Sequence, residues 1–317
     1  MFLITFFTIF LAILKIALIA GAAFALVKKR YLSQADITSV SRSVVYFFLP
    51  CLIFSKITEG FNPGELHYWW QFPLSALLIF LMGFTSLIIL FRGLPEAREL
   101  IPLSLLQNAG YFVLPLGKAI FPDQFTTFAV YTFLFIMAQS PILWTVGPLC
   151  ISSRKDGQDR GWKRILNPPF ITICVSLAVA FAGLGPRIPD VIAITTRTAG
   201  DAAVPMSVFI LGGGLGALKF VRPKNLKGLC LSSANKLLII PLLVIPFIAV
   251  SGYCRSDPLF ETLLILQACT PPAVGLMIQV KNYGGNQELV STGLLISYLL
   301  SLITIPFFLS VWEVWPG

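Results

Sequence analysis

Two amide-bearing segments, 160 positions apart, hold the residues best suited to chemistry in this chain. The first is Gln107-Asn108-Ala109-Gly110-Tyr111-Phe112-Val113-Leu114-Pro115. The second is Gln267-Ala268-Cys269-Thr270-Pro271-Pro272-Ala273-Val274-Gly275. Each interrupts an apolar run long enough to span a bilayer. Gln107, Asn108, Gln267 and Thr270 supply donors and acceptors, while Gly110, Gly275, Pro115, Pro271 and Pro272 break the helix beside them. The chemistry this suits is recognition of a ligand. An unpaired backbone N–H or C=O in lipid costs several kcal/mol, so a broken helix persists only where protein or a water-filled cavity covers the break. The break also brings half-helix ends to the bilayer midplane. N-terminal ends carry partial positive charge and free N–H groups, which suit a carboxylate. Pro115 and the pair Pro271-Pro272 are expected in the first turn of the second half-helices, where a missing N–H costs nothing. One such segment alone reads more readily as a proline kink that shapes packing, since proline is common in membrane helices and this chain has 22. Two at matching places, with amides beside both, point to the binding site of a secondary transporter.

The remaining polar residues are ambiguous singly. Lys236 follows Asn235 near the start of an apolar run. An ionisable group in a span is a functional candidate, but a lysine near a helix end also snorkels to the interface, and both readings stand. Lys15 lies mid-run with no visible partner, and Lys118 lies one turn beyond Pro115. Lys56 and Glu59 are expected at the interface. Asp201 opens the Pro205–Gly216 segment, whose Gly212-Gly213-Gly214 and Gly216 are expected to permit close helix packing. No aspartate or glutamate is expected in the middle of a span, which leaves no carboxylate to carry a proton. Sodium held by backbone carbonyls at a break remains open. With one histidine, His67, and six isolated cysteines, neither a metal or cofactor site nor a disulfide framework is expected. An integral-membrane enzyme has few groups to work with.

The elements that must position these residues follow from composition. Of 317 residues, 56% are hydrophobic and 12% charged, and the mean hydropathy is +0.85. Soluble domains carry about 25% charged residues, so lipid is the expected solvent. At roughly 20 residues per span, the chain holds about ten spans, all α-helical, placed at 3–27, 40–58, 69–91, 100–120, 126–150, 168–185, 191–217, 229–250, 259–280 and 288–311. The net charge of +9 does not point to nucleic acid, because the basic residues cluster between apolar runs. Alternate loops hold 16 lysines and arginines on one side against 4 on the other. The rich side is cytoplasmic by the positive-inside rule, which puts both termini outside. The first run ends in Lys28-Lys29-Arg30, has no preceding positive charge and is long, so it is expected to be a retained helix rather than a leader. The basic stretch 152–166 falls after the fifth span and divides the chain into repeats at 1–151 and 167–317. Five being odd, the second repeat enters the membrane inverted. Local spacings agree: Arg42 precedes Pro50 by eight residues and Arg197 precedes Pro205 by eight. Gln107 follows Pro50 by 57, and Gln267 follows Pro205 by 62.

On these residues the chain resembles the auxin efflux carrier family, which includes plant PIN-type carriers and bacterial relatives. Asp201 to Gly212 (DAAVPMSVFILG) is similar to the family's seventh helix. Lys236-Leu237-Leu238-Ile239-Ile240-Pro241 is similar to the basic residue and proline of the eighth. Gln267 to Pro271, Lys281-Asn282-Tyr283 and Ser291-Thr292-Gly293 follow the ninth and tenth, and Asn108 to Leu116 resembles an asparagine-to-proline crossover. The resemblance implies ten helices in two inverted five-helix repeats, with a scaffold of helices 1, 2, 6 and 7 and a mobile domain of 3–5 and 8–10. It further implies substrate at the crossing of the broken fourth and ninth helices, elevator-type movement and a homodimer through the scaffold. The chain departs from plant members in lacking a long cytoplasmic loop, in Ile53 where they tend to carry serine, and in having no acid in the third helix. The expectation is a carrier of a small organic anion, an auxin-like carboxylate or a dicarboxylate, in the plasma membrane. The alternatives are a sodium- or proton-coupled symporter of the bile-acid type, and a channel or receptor using the same crossover. The expected contacts are Gln107, Asn108, Gly110, Tyr111, Pro115, Gln267, Thr270, Pro271, Pro272, Gly275 and Lys236.

Overall fold

The computed structural model describes residues 2–95, 97–151, 166–218, 225–253 and 257–314. The basic stretch 152–166, apart from Leu166, lies outside the described residues, as do Lys219, Arg222, Lys224, Arg255, Met1 and Gly317. The described residues are helical. In chain order the α-helices are α1 (Phe2–Lys28), α2 (Gln34–Ser43), α3 (Leu49–Gly60), α4 (Gln71–Phe91), α5 (Leu100–Leu105), α6 (Val113–Ile120), α7 (Phe125–Ile151), α8 (Pro168–Phe181), α9 (Asp190–Asp201), α10 (Ala203–Gly216), α11 (Leu226–Ala234), α12 (Ile240–Ser251), α13 (Pro258–Cys269), α14 (Gly275–Tyr283) and α15 (Gln287–Val314). Among the described residues, seven helical stretches are long and apolar enough to cross a membrane: Phe2–Lys28, Gln34–Gly60, Gln71–Phe91, Phe125–Ile151, Asp190–Gly216, Leu226–Ser251 and Gln287–Val314. Large apolar side chains on their outer faces, such as Ile4 and Val191, are exposed, as a lipid-facing surface requires.

Two of these stretches are continuous only through a widened turn. Val44–Phe48 and Asn235–Ile239 are π-helical, and Pro50 and Pro241 follow them. A proline inside an α-helix has no N–H and its ring presses on the carbonyl four residues back. The π turn shifts the ladder by one residue. Leu49 N–H bonds to the Val44 carbonyl and Ile240 N–H to the Asn235 carbonyl, so the proline enters without collision.

The helices form two groups. In the first, α1 runs along α10, α2 packs on α10, and α3 packs on α8 and α9. In the second, α4 packs on α7 and α12, α13 on α7, α12 and α15, α14 on α7 and α15, and α11 on α5 and α15. The groups meet where α1 touches α15 and α6, and where α3 touches α7. The glycines of α10 set the α1 distance. A Cβ at Gly212 would overlap the Ala20 backbone, and one at Gly216 would lie 2.7 Å from the Phe24 carbonyl oxygen. Packing is therefore what Gly212 and Gly216 do. Asp201 corrects the expectation of acid-free spans. It is exposed and sits midway along Asp190–Gly216, where only a turn at Ala202 separates α9 from α10.

Candidate substrate-binding site at the helix breaks

Both proposed breaks exist, and they touch. α5 stops at Leu105 and α6 starts at Val113; α13 stops at Cys269 and α14 starts at Gly275. Between them, Gln107 and Pro272 form an isolated antiparallel bridge. Asn108 N–H donates to the Pro271 carbonyl at 2.9 Å, and Ala273 N–H donates to the Leu106 carbonyl at 2.8 Å. Two segments 160 residues apart thus satisfy each other's freed backbone groups, which is the condition for surviving away from water.

Side chains from neighbouring helices cap two more carbonyls, those of Gln107 and Pro272. Gln139 of α7 donates its Nε2 to the Gln107 carbonyl at 2.9 Å. Tyr298 of α15 receives Asn108 Nδ2 at 2.6 Å and gives its own proton to the Pro272 carbonyl at 3.1 Å, so one hydroxyl ties both breaks together. Phe112 packs edge-on against the Tyr298 ring. Tyr298 and Gln139 were not singled out from the sequence. The only signal was a polar residue in an apolar span, which many packed residues share.

Each expected contact has a definite place. Gln107 and Asn108 are buried at the bridge. Thr270 is buried and its hydroxyl returns to the Leu266 carbonyl at 2.7 Å, inside its own helix end. Pro115 is the third residue of α6, in the first turn as expected. Pro271 and Pro272 are not in a first turn, because α14 begins only at Gly275. They lie in the extended break and serve as acceptors, and neither leaves an N–H to satisfy. The reason is local: a residue before proline is driven out of the α region, and Thr270 is accordingly extended at ψ 133°. Tyr111 turns away from the bridge toward the first helix group, packing with Ile37, Val44 and Ile210 and meeting the Ser41 side chain. A Cβ on Gly275 would meet nothing within 4 Å, and one on Gly110 only Ile136 at 3.6 Å. There is room beside both breaks.

Lys236 resolves its two readings. It is fully buried and does not snorkel. Its ammonium donates to the Ala268 carbonyl at 3.3 Å, at the carbonyl end of α13, where a helix favours a cation. The π turn that contains it carries Asn235 inward as well; Asn235 donates to the Gly83 carbonyl at 3.1 Å and accepts from Ser86 at 2.7 Å. Next to Ala268, Gln267 is wholly buried, and neither its Oε1 nor its Nε2 has a partner. Buried amides are nearly always bonded. An amide unpaired on both atoms thus stands close to a buried ammonium near the join of the two broken helices. Among the described residues no cluster of histidine, cysteine, aspartate or glutamate is arranged to hold a metal.

The comparison with known proteins agrees in kind. A family model described as membrane transport protein matches residues 8–161 and 159–309. This chain belongs to the auxin efflux carrier family of membrane transport proteins. Its relatives in Arabidopsis thaliana include Protein PIN-LIKES 1, 24% identical over 97% of this chain and 78% of that protein. Protein PIN-LIKES 7 is 22% identical over 87% of this chain and 88% of its own length. Protein PIN-LIKES 5 is 26% identical, but over 38% of this chain and 30% of that protein. Membership in this family, together with the apolar helices, makes the chain an integral membrane protein of a transporter family.

Proposed function

We propose that this chain is a secondary carrier that moves a small organic anion through the crossing of its two broken helices. The observation that carries the reading is Gln267, fully buried with both amide atoms open, one residue from the carbonyl that holds Lys236. The N-terminal ends of α6 and α14 begin just past the two breaks and add partial positive charge. An anion there meets a weakly screened favourable field, and a cation meets the same field as a barrier. In the full reading, α5 with α6 and α13 with α14 are the fourth and ninth of ten spans in two inverted repeats. The second helix group carries the site and slides as an elevator against the first. The close contact of α1 with α10, set by glycine, supports a rigid partner for that motion, and the homodimer would form through this first group.

Binding of radiolabelled mono- and dicarboxylates to purified protein tests the site. Gln267→Ala is expected to weaken the best ligand by roughly 10- to 150-fold, since a hydrogen bond to a charged group is worth about 1.5–3 kcal/mol. Unchanged affinity in Gln267→Ala would move the site elsewhere.

A further inference from the structure

Two lysines outside the crossing have no counterion. Lys56 lies in α3 of the first helix group, and Lys118 lies in the last turn of α6. Both ammoniums converge on one ring, Phe125 at the start of α7, at 5.9 and 5.5 Å from its centroid. Lys56, expected at the interface, is 7% exposed. Lys118 is exposed. Among the described residues neither ammonium has a hydrogen-bond acceptor or a carboxylate partner. Glu59, one turn beyond Lys56, is taken by Arg197 at 2.9 Å. A phenyl ring attracts a cation through its face, but it fills none of the three N–H donors of an ammonium. Two like charges on one ring also repel. The Lys56 side chain is mostly buried and both ammoniums keep N–H donors to offer, a pairing that favours an anion.

We propose that Lys56 and Lys118, gathered on the Phe125 ring, form a second anion-binding site that takes the carboxylate of a small organic acid. Lys118 stands five residues beyond the start of α6, a rise of about 7.5 Å, so the site lies one step from the crossing toward the end of the molecule that holds Phe125. It is built from α3, α6 and α7, so its geometry depends on how these helices are placed. The choice of a carboxylate rests on the anion reading of the crossing; the site itself rests on the lysines.

The test is equilibrium binding of radiolabelled benzoate to the full chain in detergent, in the wild type and in Gln267→Ala. Gln267→Ala is expected to keep a weaker, chloride-sensitive component. Lys118→Gln should weaken that component by about tenfold, Lys56→Gln should do the same, and Lys118→Arg should retain it. Lys118 is exposed, so its substitutions leave the core intact. If Gln267→Ala does not yield folded protein, Lys118→Gln in the wild-type background must remove one of two binding components. A residual component untouched by both lysine substitutions, or saturable binding with no second component, overturns the proposal. Two components in the wild type, the stronger unchanged by Gln267→Ala and the weaker lost in Lys118→Gln, would refute the crossing site while leaving this one standing.

Discussion

Tyr298 is the residue on which the crossing most depends, because its hydroxyl is shared between Asn108 and the Pro272 carbonyl. Tyr298→Phe keeps the ring against Phe112 and strands a buried amide and a buried carbonyl. Leaving such groups unsatisfied costs about 1–3 kcal/mol each. A clear fall in the unfolding temperature of the detergent-solubilised protein is expected, and an unchanged temperature would show the hydroxyl to be idle. Lys236→Met keeps the volume of the side chain and removes its charge. It should give folded protein with weaker carboxylate binding, and equal binding would remove Lys236 from the site. At this scale the sequence located Gln107, Asn108 and Gln267 because residue type and interruption are both visible in one dimension. It did not decide Lys236, because distance from a helix end does not say which face a residue occupies, and a π turn changes that face. Pro271-Pro272 were placed too late in the break, since consecutive prolines hold the chain extended and the next helix waits until Gly275.

Among the elements, seven of the ten apolar runs read from composition fall on helical stretches long enough to cross a membrane among the described residues, while 100–120 and 259–280 fall on two short helices each and 168–185 on one. Apolar length is the one property that lipid enforces directly. The π turns were not legible, although the prolines that cause them were, because proline also produces kinks and half-helices. Asp201 was read as opening a segment and stands instead midway along one span; the turn at Ala202 was too slight to divide it. The α1–α10 contact gives a sharp test. Gly212→Val must push the Ala20 backbone aside, and overpacking of this kind costs about 1–3 kcal/mol or more. Gly214→Ala meets only Val274 at 3.5 Å, an ordinary contact. Loss of monodisperse protein is expected for the first and near wild-type melting for the second. Equal melting of the two would mean that α1 is not held by that contact.

For the whole molecule, the crossing of two segments so distant in sequence is what the family resemblance implies, but their mutual hydrogen bonds and the lysine pair at Phe125 are not legible in it. Both depend on how the helix groups pack. In the ten-span reading 16 basic residues would lie on one side of the membrane against 4 on the other, so we propose that both termini lie outside the cytoplasm. Single cysteines introduced at Met1 and Gly317, in a chain freed of its native cysteines, should react with an impermeant reagent in intact cells; protection of either end contradicts the ten-span reading. We propose that this organic-anion carriage runs without a coupled ion, and uptake of radiolabelled carboxylates into proteoliposomes under imposed membrane potentials tests it most directly. Saturable uptake without sodium, faster when the interior is positive and showing counterflow, is the predicted result. Transport of anions only when sodium is supplied, or preferential transport of an organic cation, would contradict it.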